Sequence, residues 1–570
     1  MSLLEKRWKF KQFDQALSEK LCQELRVHPI ICNMLSSRGI HNFNEAKDFF
    51  RPSLENLHDP FLMKDMKIAT QRIIHAIKEN EKILIYGDYD VDGTTAVSVV
   101  YDFLQLVYPS GNIEYYIPDR YKEGYGLSSA GIDYAEKNDF SLLVTLDCGI
   151  KSVELIHQAK DNQIDVIVCD HHLPGNQLPP AIAILNPKQE GCAYPYKDLC
   201  GCGVGFKLIQ AMCIELGLDQ QFYSKYLDLV ATAIAADIVP ITGENRTLAF
   251  FGLKKANENP NTGIKAIIDL GNLKGPLSIN SLSFVIGPRI NAAGRMGDAK
   301  RAVALFIEKD SKAAAEIATT LQSENNNRKE ADSSITDEAL ILLNQDPHAH
   351  LKKTIVVHND HWHKGVLGIV ASRLLEKYYK PTIVLTKSGD FYTGSARSIA
   401  GFNIYEGLDR CSHLLHAFGG HYFAAGMTVA PSHIHLFKEA FEAVANDILT
   451  SNDMIPEIEI DAAIELKDIN NSFYGILQQM EPFGPENNRP IFCVRGVLNV
   501  GCKIVKEDHL RFEVMQDGYS INGIGFQLAQ KYENLNRPQK MDIVFTLDEN
   551  YFNGRTSLQM KVIDFNISKN

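Results

Sequence analysis

Eight residues of hard-ligand type stand in four tight groups in the first half of the chain. Asp88, Asp90 and Asp92 lie in Lys82-Ile-Leu-Ile-Tyr-Gly-Asp-Tyr-Asp-Val-Asp-Gly93, and Asp147 ends Leu142-Leu-Val-Thr-Leu-Asp147. Asp170, His171 and His172 end Asp165-Val-Ile-Val-Cys-Asp-His-His172, while Asp237 ends Ala231-Thr-Ala-Ile-Ala-Ala-Asp237. Carboxylates joined by one or two imidazoles suit Mn²⁺ or Mg²⁺. So much negative charge in one place is costly unless cations neutralise it. Two ions sharing a carboxylate can activate a water against a phosphoester. A calcium loop is a poor match, because the twelfth position counted from Asp88 holds Val99 and not Glu.

Each group closes a strongly apolar run, and helix-like stretches such as Ala96 to Val107 lie between them. Such runs predict buried parallel strands of an α/β sheet, with Ala231–Asp237 as a fourth strand. Ligands of these sheets collect beyond the carboxyl ends of the strands, where scattered residues converge in one crevice. By strand alternation, Cys148 and Cys169 then point away from the crevice into packing.

A chain of 570 residues with 45% apolar content predicts three or four domains. Residues 1–50 are polar and helical in pattern, an accessory segment; 51–309 form the α/β catalytic domain. Residues 310–345, polar around Asn325-Asn-Asn-Arg-Lys-Glu330, predict a solvated connecting helix. A second α/β domain follows over 346–452, with strands at 354–358 and 381–385 and a helix at 365–373. Short alternating strands over 453–570 predict an all-β, OB-like barrel, in which Phe526, Tyr551 and Phe552 are either core or base-stacking aromatics.

Net charge −12 is not that of a protein that coats nucleic acid indiscriminately, although it leaves room for a local basic groove. The eleven cysteines lack paired CxxC spacing, Cys200-Gly-Cys202 included, and predict reduced thiols. With charge from Glu5 onward and no long apolar run, neither a signal peptide nor a membrane span is expected, and the cytoplasm is the expected location.

The motif set resembles the DHH phosphoesterase superfamily, named for the triplet that here is Asp170-His171-His172, and within it the bacterial RecJ single-strand-specific exonucleases. Tyr86-Gly-Asp-Tyr-Asp-Val-Asp-Gly93, Tyr116-Ile-Pro-Asp-Arg120, Gly124-Tyr-Gly126 and Leu146-Asp-Cys-Gly149 carry the likeness. So do Gly287-Pro-Arg-Ile-Asn-Ala-Ala-Gly-Arg295 and Gly419-Gly-His-Tyr-Phe-Ala-Ala-Gly426.

The resemblance implies a 5′→3′ exonuclease on single-stranded DNA, acting in recombination and repair and releasing 5′-mononucleotides with two divalent cations, Mn²⁺ in preference to Mg²⁺. It puts Asp90 and Asp147 on one cation with Asp88 nearby, and Asp92, Asp147, His171 and Asp237 on the other, so that Asp147 bridges. Asp147, His172 and His421 form the implied catalytic group, with Asp170 and His172 orienting His171 or touching a phosphate oxygen. Arg289, Ser395 and Arg397 resemble residues that grip a 5′-phosphate, Arg120 one that holds the strand, and Gly419, Gly420 and His421 a phosphate-binding turn. The second α/β domain is then a DHHA1 domain closing over the metals.

Implied partners are single-stranded DNA with a 5′ end, a single-strand-binding protein and a RecQ-type helicase, with the enzyme itself a monomer. A DHH-family phosphodiesterase on short oligonucleotides or cyclic dinucleotides would use the same metals but needs no further barrel. A pyrophosphatase would carry His a few residues before its paired Asp, where Tyr86 and Asp88 stand, and a non-catalytic relative would have shed a ligand.

Overall fold

In a computed structural model, residues 5–109, 111–273, 275–552 and 554–568 are described, and the chain divides into two compact units. Residues 38–326 with 478–489 form the first; 1–37, 327–477 and 490–570 form the second. Strand β1 (Arg7–Phe10) belongs to the second unit. The first unit is built on β2 (Ile83–Gly87), β3 (Ile113–Tyr116), β4 (Leu142–Leu146), β5 (Asp165–Cys169) and β6 (Ala183–Leu185). All five run parallel in the order β3-β2-β4-β5-β6.

Parallel sheets are covered on both faces, which is why these strands read as unbroken apolar runs. Alternation sorts them: Ile83, Ile85, Val144 and Ile167 pack into one core, Leu84, Tyr86, Leu143 and Val166 into the other. From β2 the chain moves outward to β3 and then crosses back to β4, so the strand order reverses between β2 and β4. An α/β sheet places its ligand crevice at that reversal.

The fourth expected strand is instead a helix, Leu227–Asp237. Its run Leu-Asp-Leu-Val-Ala-Thr-Ala-Ile-Ala-Ala-Asp is rich in alanine, the strongest helix former. Being apolar on nearly every side it matches a buried helix as well as a buried strand, and length decides for the helix.

The second unit holds a mixed sheet of β7 (Ile355–Asn359), β8 (Thr382–Ser388), β9 (Phe391–Arg397), β10 (Leu415–Gly420) and β11 (Ala424–Val429), ordered β10-β11-β9-β8-β7. Beyond it, β12 (Glu457–Ile460) pairs in parallel with β1, so residues 1–50 are not the purely helical segment expected. The remaining strands are β13 (Ala462–Ala463), β14 (Phe492–Asn499), β15 (Lys503–Val505), β16 (His509–Gln516), β17 (Tyr519–Gly525), β18 (Lys540–Phe552) and β19 (Arg555–Ile567). Their order is β13-β14-β18-β19-β17-β16-β15, and β14 also pairs with β16, which closes the sheet into a barrel.

The polar stretch near residue 325 lies in one helix, Ser311–Gln345, as expected. It is not solvated throughout: Asp332 is fully buried, accepting from Arg328 at 2.8 Å and pairing with Arg373 at 2.5 Å. Among the described residues, no helix is long and apolar enough to cross a membrane.

Candidate metal centre

The carboxyl ends of β2, β4 and β5 deliver Asp88, Asp147 and Asp170-His171-His172 to one place in the first unit. Past β2 the chain turns at once into the helix Val91–Val107, whose N-cap is Asp90, accepting from Gly93 N at 3.0 Å. Gly93 leaves no room for a side chain, since a Cβ there would lie 2.4 Å from the Asp88 carbonyl oxygen. The tight turn therefore sets Asp88, Asp90 and Asp92 around one helix end, where the helix dipole favours negative charge.

A second helix end meets the same group. Gly201 N and Cys202 N, opening the helix Gly201–Leu216, donate to the two oxygens of Asp92 at 2.6 and 2.7 Å. Asp92 is 1% exposed; burial first, and then Asp90, push its carboxyl up to about 7 despite those amides. Burial, followed by Asp92, Asp90, Asp237 and Asp88, likewise raises Asp147. Asp88 and Asp237 are raised in the same way, by burial and then by neighbouring carboxylates.

His171 lies among the carboxylates, its Nε2 3.2 Å from Asp147, 3.7 Å from Asp237 and 3.8 Å from Asp92. Burial, then His172, depresses the imidazole to about 3, so the ring is neutral and keeps a lone pair for a cation. Oδ1 of Asp147 and both ring nitrogens of His171 are buried without a hydrogen-bond partner. The carboxylate oxygen and the imidazole's one lone-pair nitrogen, unmatched in an acidic cluster, are what a divalent cation satisfies. Three overlapping sets each bring ligand atoms within 4.8 Å of one another: Asp88/Asp90/Asp147, Asp92/His171/Asp237 and Asp147/His171/His172.

Asp170 stands apart from these sets. Its carboxylate accepts from Ile150 N, His171 N and His172 N and from His172 Nδ1 at 2.7 Å, leaving it an orienting group for His172. Burial opposes both charges, yet the mutual hydrogen bond wins, lowering Asp170 and raising His172. Nε2 of His172 lies 3.1 Å from the Tyr125 hydroxyl.

Asp237 ends its helix, where a carboxylate opposes the dipole. Ile238, the next residue, is a β-branched residue at φ 60°, a conformation disfavoured for it.

Of the expected phosphate-binding residues, Arg120 lies in the first unit with its guanidinium 4.8 Å above the Tyr89 ring. Arg289 is in the same unit, donating to Gln322 and to the Val285 carbonyl. Ser395, Arg397, Gly419, Gly420 and His421 belong to the second unit, on β9 and the β10–β11 hairpin. There Arg397 donates to Ser395 Oγ at 2.9 Å, and Gly368 lacks the Cβ that would lie 2.7 Å from its guanidinium. His421 presents an exposed side chain after Gly420.

Two functional groups went unread in the sequence. Tyr125 appears there only as part of a motif, and Gly201 only as the middle of Cys200-Gly-Cys202. Yet a Cβ on Gly201 would fall 2.5–2.7 Å from Cβ, Oδ1 and Cγ of Asp147. Glycines at every second position over Gly201-Cys-Gly-Val-Gly205, in a run with no turn composition, were the available signal.

Comparison with known proteins adds three family matches: the DHH family N-terminal domain over residues 82–234, the DHHA1 domain over 351–447 and the RecJ OB domain over 460–564. The chain is 36% identical over 569 residues to the single-stranded-DNA-specific exonuclease RecJ of Bacillus subtilis, covering 99% of this chain and 71% of that one. It is 31% identical to the RecJ of Escherichia coli, covering 94% and 95%. The solved RecJ of Thermus thermophilus in complex with Mn²⁺ superposes with a TM-score of 0.85 at 26% identity, over 99% of this chain and 80% of that one. An exonuclease RecJ bound to manganese matches with a TM-score of 0.60 at 30% identity, over 69% and 96%.

Proposed function

This chain belongs to the RecJ family of single-stranded-DNA-specific exonucleases, and from that premise we infer that it degrades single-stranded DNA from the 5′ end by two-metal hydrolysis. The observation that carries the reading is the buried centre, whose carboxylates and neutral imidazole fall into the two groups that a pair of cations needs. Asp88, Asp90 and Asp147 would hold one cation; Asp92, His171 and Asp237 the other, with Asp147 shared. Bound there, divalent cations supply an activated water and neutralise charge developing at phosphorus.

The chain's own groups do the rest. One helix start holds Asp90 through Gly93 N and another holds both oxygens of Asp92, so ligand geometry is set before substrate arrives. His172, whose protonated form Asp170 favours, is placed to offer a hydrogen bond to a non-bridging phosphate oxygen. Arg289 in the first unit and Arg397 in the second each suit a phosphate, because a guanidinium fork binds phosphate bidentately. Arg120 suits a backbone phosphate of the strand, and in the second unit the turn at Gly419, Gly420 and His421 suits a phosphate likewise. A single-strand-binding protein and a RecQ-type helicase as partners, and a monomeric enzyme, complete the proposal.

The test is a nuclease assay with Mn²⁺ on single-stranded oligonucleotides labelled at either end, with Asp147→Ala as control. Mononucleotides released from the 5′ end, absent with the variant and on blunt duplex, are expected. Inertness on long strands with cleavage of dinucleotides would move the chain to a sister activity.

A further inference from the structure

Arg289 carries a positive charge that its surroundings do not neutralise. It is half-buried, and among the described residues its partners are neutral oxygens alone: Nε donates to Oε1 of Gln322 at 2.7 Å, and Nη1 to the Val285 carbonyl at 2.5 Å. A guanidinium has five N–H groups, so three remain, one on Nη1 and both on Nη2. Three donors on a fixed fork are enough to take two oxygens of a phosphate. Gly271 stands beside Nη2, where a Cβ would lie 3.6 Å away, and offers no side chain to cover it.

The two oxygens that hold the fork are themselves held. Just before Arg289 the chain makes a turn of π-helix, Leu282–Ile286, closed by Gly287 N on the Leu282 carbonyl five residues back. Pro288 accounts for it: the ring crowds the carbonyl of Phe284, four residues earlier, and its missing N–H removes a helical rung. Ser283 pins this widened turn, its Oγ donating to the Ala235 carbonyl at 2.5 Å. That carbonyl lies in the last turn of the helix Leu227–Asp237, where no helical N–H follows to meet it. One turn thus joins the helix ending in Asp237, a candidate metal ligand, to the guanidinium of Arg289. Gln322 completes the grip from the helix Ser311–Gln345: its Nε2 donates to Asn326 Oδ1 at 2.7 Å, which leaves its Oε1 turned to Arg289. Every one of these residues lies in the first unit.

We propose that Gln322, acting with the π-turn, is the positioning residue of end recognition: it aims the free N–H groups of Arg289 at a terminal phosphate and so gives the enzyme a preference for a 5′-phosphate over a 5′-hydroxyl. The inference rests on the reading of Arg289 as a phosphate contact and adds the residue that gives this contact its direction. A neutral amide suits the task. A carboxylate at 322 would orient the guanidinium as well, but would cancel the charge that attracts the phosphate.

The experiment measures kcat and KM for release of the first unit from one oligonucleotide carrying either a 5′-phosphate or a 5′-hydroxyl, using the full chain with Mn²⁺. The proteins compared are the parent, Gln322→Met, Arg289→Ala and the double variant, each with its melting curve. Gln322→Met keeps the length of the side chain without its oxygen. It should raise KM for the phosphorylated strand about tenfold with kcat within about twofold, and the 5′-phosphate preference should fall about tenfold, as loss of an orienting partner does. In the Arg289→Ala background the same change should move the preference by less than about twofold, because the group it aims is gone. Should Gln322→Met melt well below the parent, Ser283→Ala, which frees the turn from Ala235, takes its place with the same expected fall. A folded variant that keeps the parent's preference, beside an Arg289→Ala protein that has lost it, overturns the proposal. An equal effect of Gln322→Met in both backgrounds overturns it too. If Arg289→Ala itself keeps the preference, the phosphate reading of Arg289 fails, and the proposal falls with it.

Discussion

Asp92 shows how the centre is stiffened at the level of single residues. It sits in the first turn of one helix and receives two backbone amides from the start of another, so neither oxygen is free to wander. That second helix can approach only because residue 201 has no side chain. Gly201→Ala would force its methyl into Asp147 and strain the amides on Asp92 together. The expected outcome is a loss of about 10- to 100-fold in Mn²⁺ affinity and comparable activity, against a modest stability cost of about 1–3 kcal/mol. Calorimetric titration with Mn²⁺ beside a melting curve checks it; parental affinity in a folded variant would show that the close approach is immaterial. The acidic residues that gather in the centre were legible in the sequence because carboxylates at the ends of apolar runs carry a chemical signature. The glycine was not, because what it contributes is an absence, visible only once the helix it opens is seen against Asp147.

The same contrast holds for whole elements. β2, β4 and β5 were readable because a strand buried on both faces has no alternative to an unbroken apolar run. Ala231–Asp237 has the same composition signal and is a helix, since a helix buried on all sides also lacks periodicity. The difference matters for the chemistry: a strand would deliver Asp237 from the sheet edge, whereas the helix delivers it from its C-terminal end and must then turn sharply. That turn is made by Ile238 at φ 60°, with its side chain 66% exposed and therefore not held by packing. Strain of this kind persists where it fixes a functional geometry. Ile238→Gly should therefore raise the unfolding free energy by about 1 kcal/mol, relieving the left-handed conformation. It should also lower kcat/KM roughly tenfold, because Asp237 loses its fixed direction. Denaturant midpoint and turnover measured on one preparation decide the matter; lower stability together with unchanged turnover would mean that the conformation stores nothing the centre uses.

At the scale of the molecule, the buried carboxylates link stability to both pH and metal. Without cations, Asp92 titrates at about 7 in the fold against an ordinary 3.8, and Asp88, Asp147 and Asp237 are raised with it. Between those values the folded state binds protons that the unfolded state has released, so stability falls as pH rises. His171 works in the opposite sense, since its depressed value costs stability as pH falls below 6.5. One imidazole is outnumbered by four carboxylates, and metal-free protein should melt higher at pH 6 than at pH 8. Saturating Mn²⁺ reverses the order: cations replace the protons, ligands must be deprotonated to bind them, and 100 Kd of free metal stabilises by about 2.7 kcal/mol. The net charge of −12 gives a general repulsion of the same sign as the metal-free effect, so Asp147→Asn is the discriminating control. It removes one carboxylate from the centre and barely alters the total charge. If the pH 6 advantage of the metal-free protein survives in that variant undiminished, the effect belongs to the surface; if it shrinks, the energy is stored where the cations bind.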